Sequence, residues 1–158
     1  MYFFKCIIDA FRPGIRYTFN VYGIQDDRSY LLEKKAKYLK ELEPTDSLSL
    51  NIDKITMNSL TVSWRRYDQE FRAGFIRGYI LYMKKNNQSC TAKESKLLIH
   101  AGSQVICTYN ITKPNQTELT IRHLEPNTKY LLAIKAYTVK SEYNDNDNFT
   151  SVYTSADT

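Results

Sequence analysis

A chain of 158 residues with 42% hydrophobic residues can bury one good core and part of another, but not two complete domains. Its 22 basic and 17 acidic residues give a formal net charge of +5, but they are scattered. With no basic stripe interleaved with exposed aromatics, nucleic acid is excluded as an expected partner. No apolar run reaches the ~18 residues that a membrane span needs.

The opening stretch "MYFFKCIIDAF" (1–11) is apolar, yet Lys5 and Asp9 interrupt it and no small-residue cleavage site follows, so it does not read as a signal peptide. Any targeting information for an extracellular chain would then lie upstream. Next comes "FRPGIRY" (11–17), in which Pro13 turns the chain and Tyr17 opens an alternating strand, "YTFNVYGI". A turn at "GIQDDRS" and one more strand follow. The stretch "LLEKKAKYLKELE" (31–43) is rich in helix formers, with Ala36, Leu39 and Leu42 at helix-like intervals. Its position before Pro44 argues instead for a last strand running into a linker over 39–46.

From there period two dominates. Strands are expected at 47–52, 59–64, 78–84, 104–111, 117–123, 129–138 and 149–154, which makes seven. The third, "GYILYMK", is apolar on both faces, as a central strand would be. Turn signals separate them: Asp53 and Asn58, Gly74 and Gly78, "NNQS", Pro114 with Asn115, and Pro126 with Asn127. "HAGSQ" reads as a hairpin tip inside the long third-to-fourth connection. Seven short strands over about 110 residues predict an all-β sandwich.

One signal occurs twice. "LEPNTKY" followed by "LLAIKAYTV" repeats "FRPGIRY" followed by "TFNVYGI", with Pro126 and Tyr130 standing 113 residues after Pro13 and Tyr17. Each copy has the form of a tyrosine corner, in which the phenol at the start of a strand bonds backbone a few residues upstream. The expected plan is therefore the last strands of one sandwich (1–38), the linker (39–46), a complete sandwich (47–155) and a tail (156–158). Two or three strands alone bury too little to be stable, so the sequence reads as part of a longer array of such domains.

Trp64 on the second strand, Tyr79 and Tyr82 on the third and "LEPNTKYLLAIKAYT" as the corner make residues 44–155 resemble a fibronectin type III domain. "FRPGIRYTFNVYGI", "LLEKK", "KELEPTDSLSL" and "GFIRGYILYMK" are similar to the membrane-proximal domains of the interleukin-6-type class I cytokine receptors. That resemblance implies a seven-stranded fibronectin type III sandwich preceded by the C-terminal strands of a truncated one. It also implies a stalk on the extracellular side of the plasma membrane in a single-pass receptor, whose missing tail carries Janus kinases. The implied partner is another receptor subunit of the same family, with the cytokine bound through domains not present here and the membrane reached only through the absent parent segment. A module of a cell-adhesion or matrix protein is the alternative.

Catalysis is not expected. The only histidines, His100 and His123, form no paired site, and there is no nucleophile elbow or phosphate-binding glycine loop. No cofactor or metal is expected either. Cys6, Cys90 and Cys107 match no zinc or redox spacing, and an odd count suggests one pair and a leftover. Cys90 and Cys107 fall where one branch of the receptor family carries cysteines. A bridge between them would contribute ~3 kcal/mol in an oxidising compartment; in a reducing one, two free thiols is the better reading. Asn87, Asn110, Asn115 and Asn148 head acceptor triplets for glycosylation, Asn87 and Asn115 on the most open turns. Trp64, Leu81, Leu124, Tyr130, Leu132 and Ile134 are the expected core.

Overall fold

The structure is a computed structural model and describes residues 11–44, 48–67, 74–86, 88–91, 97–139 and 150–155. Cys6, Asn87, Asn148 and the 156–158 tail lie outside the described residues.

The described residues form strands and no helix. In chain order these are β1 (Arg16–Gln25), β2 (Arg28–Tyr38), β3 (Leu50–Ile55), β4 (Ser59–Trp64), β5 (Gly78–Lys85), β6 (Leu97–Ala101), β7 (Gln104–Ile111), β8 (Glu118–Arg122), β9 (Lys129–Tyr137) and β10 (Thr150–Tyr153). β1 and β2 make a two-stranded antiparallel sheet of their own. Their loop is two residues long, and both, Asp26 and Asp27, have positive φ (49° and 58°). That is the signature of a type I′ turn, whose twist matches the flanking strands. The helix formers of 31–43 end up in β2 because cross-strand pairing with β1, from Arg16 opposite Tyr38 to Gln25 opposite Arg28, overrides a weak local propensity.

The other eight strands form two sheets, β3-β4-β8 and β10-β9-β5-β7-β6. All seven strands expected over 47–155 are among them. β6 is the addition: Leu97–Ala101 pairs antiparallel with β7 and closes through Gly102, at φ 60°, and Ser103, so the hairpin tip read from "HAGSQ" carries a strand on each side. Five residues were too short a run to stand out beside the long connection. Two boundaries also move. The first sandwich strand begins at Leu50 instead of 47, and Asp53 marks a bulge inside it, not a turn: the register with β4 shifts between Ile52 and Lys54.

The period-two pattern decides the core. Leu60, Val62 and Trp64 point from β4 toward Tyr79, Leu81 and Met83 of β5 and Tyr130, Leu132 and Ile134 of β9, and all of these are buried. Leu48, Leu50 and Ile52 line the same core from the β3 side, and Leu124 joins it. β5 lies between β9 and β7, and Tyr82 on its opposite face is also buried, so it is a central strand. At Gly78 a Cβ would run into the Ile111 carbonyl, which is why only glycine fits where β5 first meets β7.

Candidate functional site at the corners and the junction

Two loops carry the corners. In the sandwich, the Glu125 backbone N–H donates to the Tyr130 hydroxyl at 3.0 Å, and in the hairpin the Arg12 N–H donates to the Tyr17 hydroxyl at 2.9 Å, each across five residues. The surroundings differ. Tyr130 is fully buried. Its loop is also held from two other elements: Lys85 of β5 puts its Nζ 2.8 Å from the Glu125 carboxylate, and the Thr154 hydroxyl donates to the Glu125 carbonyl at 2.6 Å. Asn127, just after Pro126, takes a positive φ of 46° and donates its N–H to the Ser155 carbonyl. Tyr17 is part-buried, with the ring of Phe11 edge-on at 4.6 Å.

This contrast yields a prediction. Tyr130→Phe leaves the Glu125 N–H without its acceptor and should destabilise the sandwich by about 1 to 3 kcal/mol, the usual cost of an orphaned donor. Tyr17→Phe should leave the sandwich transition where it was. Urea unfolding followed by tryptophan fluorescence reads both, because Trp64 is the only tryptophan.

Between hairpin and sandwich the linker is fastened on both sides. The Lys40 carbonyl accepts from the Gly14 N–H at 2.8 Å, and the Leu42 carbonyl accepts from the Thr138 hydroxyl at 2.8 Å. Glu41, with its side chain only 11% exposed, receives the Phe75 N–H at 3.4 Å and the Arg77 guanidinium at 3.5 Å. Tyr38, the last residue of β2, is buried edge-on against the Phe75 ring at 4.9 Å, and the Arg16 guanidinium lies 5.7 Å from that ring's centre. Glu43 and Lys135 complete the contact at 4.0 Å. Gly74 is part of the fit: a Cβ there would come within 2.9 Å of both Glu41 and Thr138. None of these partners could be read from the sequence. Tyr38 and Phe75 look like ordinary strand and loop aromatics, and Glu41 sits in a run that suggests a solvated helix face.

The remaining expected residues fall as follows. Cys90 and Cys107 are joined in a disulfide, buried, with Cα atoms 5.6 Å apart. Asn110 and Asn115 are exposed, the first near the end of β7 and the second in the turn after it. Trp64 is buried, with its ring edge-on to Tyr79 at 5.5 Å. His100 and His123 are exposed and far apart in the chain. Among the described residues, no group of three or more His, Cys, Asp or Glu side chains is placed to hold a metal ion. Contacts of this kind fasten a hairpin to a sandwich.

The sequence profile of the fibronectin type III domain matches residues 43–151, and the chain belongs to that family. Its relatives are narrower than the family. The chain is 38% identical over 135 residues to the human oncostatin-M-specific receptor subunit beta, covering 85% of this chain and 14% of that protein. It is 33% identical over 130 residues to the human leukemia inhibitory factor receptor, covering 82% of this chain and 12% of that protein. The receptor resemblance read from the sequence points to these same two proteins, to the first ahead of the second. The chain thus spans about a seventh of the relatives it matches. The solved fibronectin type III domain of human contactin 1 superposes with a TM-score of 0.51 at 10% identity, covering 73% of this chain and 82% of that one, and agrees in fold.

Proposed function

We propose that the chain is an extracellular stalk region of a cytokine receptor signalling subunit, in which the junction at Glu41, Phe75 and Thr138 sets the angle between successive modules. The parent is a single-pass receptor on the plasma membrane. It pairs with another subunit of the interleukin-6 receptor family when cytokine binds through domains elsewhere. Stiff modules then fix how far apart the membrane spans stand, which selects the dimer states that let the attached Janus kinases act. No residue of the chain performs chemistry. In this reading the hairpin is the end of one module, residues 39–46 are the connection and 47–155 are the next module. The Cys90–Cys107 bridge and glycans on the acceptor asparagines suit an extracellular surface.

One observation carries the reading: the linker is bonded to both sides, with a largely buried carboxylate at its centre beside the edge-on pair of buried Tyr38 and part-buried Phe75. A free linker would transmit no geometry. The test is a graft. Residues 9–158 replace the matching region of the human oncostatin-M-specific receptor subunit beta in cells, with and without Gly74→Val, which drives a side chain into Glu41 and Thr138. The unaltered graft should support kinase-dependent signalling, and the valine graft should reach the surface equally but signal weakly. Equal signalling from the two at equal display would refute a role for the junction.

A further inference from the structure

The corner repeat runs further than its tyrosines. In the hairpin the Gly14 N–H, at φ 69°, donates to the Lys40 carbonyl, two residues past Tyr38. In the sandwich the Asn127 N–H, at φ 46°, donates to the Ser155 carbonyl, two residues past Tyr153. The residue before each corner tyrosine is a base that stands opposite the last residue of the neighbouring strand: Arg16 opposite Tyr38, and Lys129 opposite Tyr153. Both copies therefore hand the chain on beside a base and a tyrosine in the same register, but only one pair is covered. Tyr38 is 8% exposed against the edge-on ring of Phe75, which also lies 5.7 Å from the Arg16 guanidinium. Tyr153 is 59% exposed, and the Lys129 ammonium lies 5.6 Å from the centre of its ring. Where an incoming ring meets the base in the first copy, the base rests on the tyrosine itself in the second. Val152 belongs to the core, so its neighbour Tyr153 points away from it, and packing within the module gives no reason for an aromatic there.

We propose that Lys129 and Tyr153 form a docking socket for an aromatic ring carried by a further fibronectin type III module, on the loop that leads into its central strand as Phe75 leads into β5. The covered copy names the occupant. There the ring arrives from the module joined through the linker, three residues before its central strand begins, and it takes both an edge-on aromatic contact and a cation over its face. The socket rests on the stalk reading for the order of the modules, and adds to it the contact on the far side of the sandwich.

The experiment compares the whole chain with a tandem in which the chain through Ser155 is followed by a second copy of residues 41–158, so that the link repeats the one from Lys40 to Glu41. Tyrosine nitration by tetranitromethane, read by mass spectrometry, reports the exposure of each ring. In the single chain Tyr153 should be modified and Tyr38 spared. In the tandem the Tyr153 beside the link should become as resistant as Tyr38, while the Tyr153 of the appended copy stays reactive. Phe75→Ala in the appended copy should abolish that protection, and Phe75→Trp should keep it, which separates loss of the ring from loss of the fold. Phe75→Ala in the first copy should uncover Tyr38 in the same way. A link Tyr153 as reactive as the one at the far end overturns the proposal, as does protection that survives Phe75→Ala. Both results are read in solution without any signalling, so the socket can fail while the receptor reading stands, and the reverse.

Discussion

Trp64→Ala is expected to lower the unfolding free energy of the sandwich by about 3 to 5 kcal/mol, the range for truncating a buried tryptophan. The indole is 3% exposed, belongs to the same core as Leu60 and Val62 of its own strand, and meets the Tyr79 ring of the opposite sheet edge-on. Tyr79 is itself fixed, accepting from the Tyr67 N–H at 3.1 Å and donating to the Pro114 carbonyl at 3.2 Å. A hole beside such a held ring cannot collapse easily, which puts the cost toward the upper end. Domains of this size are stable by about 5 to 15 kcal/mol, so the variant should populate unfolded chain under mild denaturant. Trp64→Phe keeps most of the volume and also removes an indole N–H that is buried without a hydrogen-bond partner among the described residues, so it should cost much less. Because both variants lack the fluorophore, circular dichroism in urea is the measurement. Equal midpoints for the two would show that ring volume is not what matters here.

Losing the disulfide should cost ~3 kcal/mol, on the chain-entropy account by which a bridge closing a loop of this length restricts the unfolded chain. Cys90 and Cys107 are 17 residues apart in sequence and both buried, with Cys107 opposite Met83 on β5. The loop it closes contains β6, one of the two edge strands of the five-stranded sheet. Reduction should therefore act unevenly. Hydrogen exchange in Leu97–Ala101 should speed up first, while β4 and β9 hold their protection until global unfolding. Cys90→Ala with Cys107→Ala tests the same point without a reductant. Unchanged stability in the double variant would contradict the expected contribution.

Much of this architecture is legible in the sequence because alternation is a local property. Leu60, Val62 and Trp64, or Tyr130, Leu132 and Ile134, declare their face within one strand, and each group is buried as that pattern requires. The corners are legible for the same reason: Pro126 and Tyr130 lie within five positions, and so do Pro13 and Tyr17. What the sequence does not display depends on distance along the chain. The Glu41 carboxylate meets Phe75 and Arg77, and Leu42 meets Thr138, pairs that no window of periodicity contains. β6 escaped because a five-residue edge strand, half exposed on both sides, has too little apolar contrast. Asp53 misled because a residue typical of turns also suits a bulge.

The register of the sheets also sets an order of events. β1 and β2 pair through a two-residue loop, and such hairpins form in about 1 to 10 µs. The sandwich must instead bring Thr61 beside Thr120 and Tyr82 beside Ala133 before either contact is rewarded, a loop-closure cost that slows all-β domains to roughly milliseconds or longer. The hairpin can therefore pair well before Thr138 is in place to take hold of the Leu42 carbonyl.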